Sequence, residues 1–278
     1  MKKATYRNIL WFFLLFSMQF IIFFKLWNNN EVFFAGDANK YYISRWYIVQ
    51  QIKDGVFPFW SQYIMNGMPY AASLQGVYYP FTYLALFLPL KLFIYVYSFT
   101  HITLGGVFAG KFIGSLCSHK QLQYVMSLLY VLSIQLGGYR KNHPNLQFAF
   151  IWLPVLLYLV EKYLKEQQKK YVILLGLTMA LQFMSGETGV QICAYTDIAV
   201  LAYFILRARS NGLRMKKYLP DILRACLLYV ALIAVQVLPC LQILSFYSSL
   251  GGENSSFDFF TSYSIHPVKL LQVVSPHI

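Results

Sequence analysis

Seven apolar stretches divide this chain, at 9–27, 92–115, 122–136, 146–164, 171–184, 190–206 and 222–246. A helix rises about 1.5 Å per residue, so about 20 such residues cross a hydrocarbon core of roughly 30 Å. In lipid the backbone must satisfy its own N–H and C=O groups, and a helix does so within one segment. Only 12% of the 278 residues are charged and 58% are hydrophobic. A soluble domain carries nearer a quarter charged residues. The expectation is an all-α integral membrane protein. The stretches 122–136 and 171–184 are short for a bilayer and need their flanks or a local distortion.

The N-terminus, "MKKATYRNILWFFLLFSMQFIIFFKLW", begins like a signal peptide. Its apolar run is longer than a signal core and no small-x-small cleavage site follows, so it reads as an uncleaved first span. "FTYLALFLPL" (81–90) is too short to span and stops at Pro89 and Lys91, which makes it a dipping or interfacial segment.

The net charge of +13 raises the question of nucleic acid. The positions of the cations answer it. With the N-terminus inside and seven spans, the inner segments hold Lys2, Lys3, Arg7, Lys120, "EKYLKEQQKK" and "RARSNGLRMKK". The opposite short loops hold little beyond Arg140 and Lys141, the asymmetry of the positive-inside rule. A full span at 81–90 would turn every later basic cluster outward. The charge therefore belongs to topology, and no nucleic-acid partner is needed. Cys117, Cys193, Cys226 and Cys240 are scattered without metal-ligand spacing and imply neither a disulfide framework nor a zinc site.

This topology makes residues 1–278 one transmembrane domain with a long first extracytoplasmic loop, 27–90. The chain closes on "VVSPHI" without a further helix or a basic stop, so it is expected to be the N-terminal part of a longer architecture.

Asp37 follows the first span by about ten residues. Behind it, 39–53 places Tyr42, Trp46, Val49 and Ile52 on a helical stripe, with Asn39, Lys40, Arg45, Gln50, Gln51 and Lys53 around it. Asp54-Gly55 and Pro58 supply the stop. Such a helix lies in a membrane interface. Asp37 is then either a cap or a working acid. His143, in "RKNHPN", and Glu187, in "SGETGVQ", fall on the same predicted face. Taken singly, His143 is a turn residue before Pro144 and Glu187 a solvated acid. Together with Asp37 they outline a site in which a carboxylate serves as base and cations hold a phosphate. Asp197 sits inside the sixth stretch, where an ionisable group pairs or lines a cleft, Tyr195 and His101 being its candidate partners. Asp221 and Arg224, one turn apart, read as a local ion pair.

The stretch "GDANKYYISRWYIVQQIKDGVFPFWSQYIMNGMPYAASLQGVYYP" resembles the first outer loop of the YfhO-like family, bacterial polytopic membrane proteins assigned to the GT-C class of glycosyltransferases. Its pattern is an acid after the first span, an amphipathic helix ending in Asp54-Gly55, then "PFW", "NGMPY" and "SLQGVYYP". "HPNLQFAFIWLPVLLYLVEKYL", "SGETGVQICAY", "QVLPCLQIL" and "HPVKLLQVVSP" follow in the same order. Relatives often carry Gly-His where Gly186-Glu187 stands here, and they are longer.

The resemblance implies a GT-C-like bundle of about seven transmembrane helices in a bacterial plasma membrane. It implies transfer of a sugar from a polyprenyl-phosphate donor to a cell-envelope glycopolymer or glycolipid acceptor. Asp37 would be the catalytic base. Arg45, Arg140 and His143 would hold the phosphate, with Trp60, Gln75, Tyr79 and Glu187 completing the substrate site. No cofactor is expected, and a divalent metal is left open. A lipid-linked sugar transporter or flippase would explain the spans, Asp197 and His101 equally well, though not the aromatic, Pro/Gly-patterned loop. An inactive truncated scaffold is the third alternative. In a background without the native cysteines, single cysteines at Gln62 and Asn142 should label from outside, and those at Gln167 and Asn211 only after permeabilisation. Outside labelling at Gln167 would overturn the seven-span count.

Overall fold

The computed structural model describes residues 2–29, 38–63, 67–72, 75–117, 119–136 and 148–249. Among these residues every regular element is helical, apart from an isolated antiparallel bridge between Ser61 and Met68. The α-helices are α1 (Lys2–Ile22), α2 (Phe24–Asn28), α3 (Ala38–Lys53), α4 (Leu90–Leu116), α5 (Lys120–Leu136), α6 (Trp152–Glu166), α7 (Lys169–Met184), α8 (Glu187–Ser210) and α9 (Leu219–Ser249). Short 3-10 turns occupy Tyr70–Ala72, Pro80–Leu86 and Met215–Lys217.

The helix boundaries have local causes. The first apolar stretch is not one rod: it breaks at Phe23 into α1 and α2. Pro89, in an extended conformation, sets the start of α4. Pro154 falls in the first turn of α6, where a missing N–H costs nothing. The turn from α7 to α8 needs only Ser185 and Gly186, and the φ of 143° at Gly186 is one that side-chain-bearing residues avoid. The segment expected to dip without spanning, 81–90, falls largely in the 3-10 turn Pro80–Leu86, which packs against α3 and α4.

Among the described residues two helices are long and apolar enough to cross a membrane, Leu90–Leu116 and Leu219–Ile243. The other five apolar stretches form helices that fall short of that length or apolarity. α4 is the central helix, with 67% of its apolar window enclosed, against 6% for α9. Large apolar side chains face outward on several helices: Leu10 and Phe13 on α1, Ile173 on α7, Ile198 on α8, and Leu223, Leu227 and Val230 on α9, each more than half exposed. Water-soluble surfaces rarely carry apolar faces of that extent. These features together point to a membrane-associated helical protein.

Close packing around α4 depends on small residues. A Cβ on Gly106 would stand 2.6 Å from Val131 Cγ2, and one on Gly110 would collide with Ser127 Oγ and the Gln123 carbonyl of α5. α7 approaches α9 in the same way, since a Cβ on Gly176 would be 2.8 Å from the Ala225 carbonyl. Apolar packing between helices in lipid favours such close approach of small residues. Buried Gln19 on α1 donates to Thr103 Oγ1 on α4 at 2.7 Å, adding a polar tie.

Charged side chains collect at one end of the bundle. Glu161, 1% exposed, accepts from Arg207 and from Tyr203, and pairs with Lys165 at 3.2 Å. Asp221 is bonded by Tyr163 and Lys169, and by Arg224 as the expected i,i+3 pair. Lys165 also donates to the Ser115 carbonyl at the end of α4. The α4–α5, α6–α7 and α8–α9 connections therefore lie together, as antiparallel neighbours require. Pro239 lies inside α9 and closes the first compact unit; from Cys240 a second unit begins, whose described part is the continuation of α9 to Ser249.

Gly110→Ala should lower the melting temperature in detergent micelles, by the equivalent of about 1–3 kcal/mol for an overpacked backbone contact. Gly114→Ala, which meets only the movable Gln123 side chain at 3.1 Å, should be close to neutral. Equal effects would mean that α4 and α5 are not packed through Gly110.

Candidate functional site

α3 begins at Ala38, directly after Asp37, and ends where the sequence places its stop. Gly55 takes φ 75°, its N–H bonds the Ile52 carbonyl, and the Val56 N–H reaches Gln51 at 2.8 Å. This is a Schellman closure, which a glycine at that position makes available.

The face that α3 buries differs from the expected one. Tyr41, Tyr42, Ser44, Arg45, Ile48 and Val49 are buried, whereas Trp46 is half-buried and Ile43 exposed. Arg45, expected among the outward cations, is fully enclosed. Its Nε donates to the Tyr97 hydroxyl at 3.1 Å, Nη1 to the Tyr41 carbonyl at 3.0 Å, and Nη2 to the Ser185 carbonyl at 2.5 Å. The guanidinium also lies 5.3 Å from the Tyr97 ring centre and 5.7 Å from that of Phe148. One side chain thus joins α3, α4, residue 148 and the α7–α8 turn.

Among the described residues no carboxylate pairs with this cation. Its positive charge is met instead by ring faces, by two carbonyls and by the C-terminal, negative end of α7 at Ser185. Three of its N–H groups are engaged. A guanidinium has five, so two have no partner among the described residues.

The loop that precedes α4 closes over Arg45. A Cβ on Gly76 would sit 3.3 Å from Arg45 Nη2, and Gly76 has φ +82°, so both space and backbone call for glycine. Beside it, the buried Oε1 of Gln75 has no hydrogen-bond partner among the described residues. Ser61 Oγ and Gln50 Nε2, in the same loop and in α3, are likewise buried and unmatched.

Tyr79 was expected in the substrate site, but it is fully buried and its hydroxyl lies 2.5 Å from His101 Nε2. The other ring nitrogen, Nδ1, faces the Tyr97 carbonyl at 2.6 Å. A carbonyl can only accept, so Nδ1 carries the proton and Nε2 accepts from the Tyr79 O–H. His101 is therefore not the partner of Asp197, and Tyr195 is 76% exposed. Burial holds the Tyr79 hydroxyl well above the usual phenol range. The Tyr70 hydroxyl, which donates to the Ser44 carbonyl, is pushed up to about 12 by burial. Both stay protonated as donors at any physiological pH.

Trp60 remains outside this core, 59% exposed, with its indole laid over Gly67. A Cβ there would come within 2.8 Å of Trp60 Cζ2. Asp37, Arg140 and His143 lie outside the described residues, as does the Glu187 side chain, although the backbone of Glu187 opens α8 two residues after Ser185. The described part of the site therefore brings together Arg45, Gln75 through its neighbour Gly76, and Tyr79 through Tyr97. Tyr97, Ser185 and Phe148 were not foreseen. Their only sequence mark is that polar or aromatic residues interrupt apolar runs, which membrane helices show in many places.

No family model, curated protein or solved structure matches the chain.

Replacing Arg45 by Ala strips the Tyr97 hydroxyl and the Ser185 carbonyl of their donor. The cost is on the order of 1–3 kcal/mol. The melting temperature should fall and trypsin should cut faster after Lys53, with Arg45→Lys recovering only part because it lacks the fork. Unchanged melting and cleavage would show that Arg45 does not hold α3.

Proposed function

We propose that this chain is a multi-pass membrane glycosyltransferase of GT-C-like architecture. In this reading it has seven spans and a cytoplasmic N-terminus. It transfers a sugar from a polyprenyl-phosphate donor to a cell-envelope acceptor at the outer face of a bacterial plasma membrane. The observation that carries the reading is the Arg45 guanidinium, buried without a carboxylate partner among the described residues at the place where the first loop meets the bundle. A buried cation of this kind is a standing positive potential, and the anion it suits best is a phosphate. The unmatched polar atoms of Gln50, Ser61 and Gln75 suit a ligand rich in hydroxyl groups.

In this reading the end that holds the charged network of Glu161, Arg207, Lys169 and Asp221 is the cytoplasmic one. The opposite end, which holds α3 and the 75–86 segment, then faces outward. Asp37, one residue before α3, takes the proton of the acceptor hydroxyl as its oxygen attacks the anomeric carbon. The bond from that carbon to the phosphate oxygen breaks, and the polyprenyl phosphate leaves with the electron pair. A base on one side and the leaving phosphate on the other give inversion. Arg140 and His143 meet the departing phosphate from the next outer loop, and Arg45 acts from beneath by its field and by fixing α3.

A second reading, a transporter of lipid-linked sugar, draws support from the Asp197 carboxyl group within the helices. One experiment separates the two. Asp37→Asn should insert and express normally, because a lost cap costs about 1 kcal/mol. Sugar transfer should fall by roughly two to four orders of magnitude, the usual share of a general base. Well-inserted Asp37→Asn protein working at the parent rate would remove the role of Asp37. Movement of lipid-linked sugar across the bilayer by the parent protein, without transfer, would replace the enzyme by the transporter.

A further inference from the structure

At the far side of the bundle from Arg45, α6, α7, α8 and α9 surround a cavity of about 250 Å³. Val160, Val172, Leu175, Met179 and Val200 supply apolar walls, and Asp197 of α8 lies in the lining. Asp197 is ten residues into α8, which places it about 15 Å along a helix of about 36 Å, near mid-depth. Its Oδ1 is buried and has no hydrogen-bond partner among the described residues. The polar groups that face it do not answer it. The Tyr229 hydroxyl and the Cys193 and Cys226 thiols lie near it, yet none of them hydrogen-bonds Oδ1, and a thiol is only a weak donor. The other acid in the lining, Asp221, is already held by Lys169, Arg224 and Tyr163. Asp197 is the lining acid left without a cation.

The cavity has a way in. α9 leans on α7 at Gly176, where the Ala225 carbonyl comes close. On the α8 side the lining residues Ile198 and Leu201 are 68% and 46% exposed, so the mouth is lateral and apolar. An entrant must be apolar in body to pass that mouth, and it must bring a positive donor to be retained. An unpaired carboxylate in apolar surroundings is costly, and a cation with an N–H removes that cost. We propose that this cavity is a second ligand site, for a small lipophilic amine bound as its ammonium ion on Asp197. The apolar part rests against Leu175, Met179 and Val200, and the ammonium donates to the Asp197 carboxylate. The site is separate from the first loop and owes nothing to sugar transfer, so the failure of one leaves the other standing.

The test uses the full chain in detergent micelles or lipid nanodiscs, with 2-phenylethylamine as probe and 2-phenylethanol, of the same body but neutral, as control. Equilibrium dialysis of labelled probes should show the amine bound at least tenfold more tightly than the alcohol. Asp197→Asn should abolish that preference, while its melting temperature without ligand stays level or rises, because an unpaired buried carboxyl group has been removed. Leu175→Trp, which fills the cavity and keeps the acid, should weaken both probes. Equal binding of amine and alcohol by the parent protein, or an undiminished preference in well-folded Asp197→Asn, would overturn the proposal.

Discussion

A single buried guanidinium organises one end of this molecule. Arg45 reaches from α3 to the Tyr97 hydroxyl on α4 and to the Ser185 carbonyl at the end of α7, with Phe148 and Tyr97 rings beside it. Removal of such a group from water is expensive, and no carboxylate among the described residues offsets it. Three hydrogen bonds, two ring faces and the end of a helix do so jointly. The glycine at position 76 follows from the same demand, because a side chain there would press on the guanidinium. What the bundle gains is a fixed position for the helix that starts beside Asp37. A residue that reads as a surface cation thus serves to hold the first loop in place.

The two ends of the bundle treat charge in opposite ways. At the Glu161 and Asp221 end, acids and bases are matched, with Arg207, Lys165, Lys169 and Arg224 each near a carboxylate. At the Arg45 end the described residues hold a cation and several unmatched polar atoms. A matched network needs nothing further and suits an anchored, structural end. An unmatched one retains binding capacity, which is why the sugar-phosphate role is proposed at the Arg45 end.

Helix existence was legible in the sequence because apolar length is a coarse and strong signal. The end of α3 was legible too, since Asp54-Gly55 followed by Pro58 is a local stop with a mechanical cause. The Asp221–Arg224 pair needed only helical spacing. Arg45 was misread for a physical reason: a stripe of apolar residues marks the buried face only when the burying partner is apolar, and here it is Tyr97 and backbone carbonyls. The burial of Tyr79, expected as a substrate-site residue, was not legible either, because its partner His101 lies well along the chain in the helix α4. The break at Phe23 has no Gly or Pro to announce it. Asp37, Arg140 and His143 fall outside the described residues, and the part proposed for them rests on chemistry and on their place along the chain.

The central claim is that α3 is packed into the bundle through its Arg45 face and does not merely float on it. Reaction rates of single cysteines with a water-soluble maleimide, in a background without the native cysteines, test it directly. Ile43→Cys, at a position 57% exposed, should react fast, while Ser44→Cys and Ile48→Cys, at positions 8% and 0% exposed, should be strongly protected. Comparable rates at all three positions would show that the Arg45 side of α3 is open, and would contradict the account.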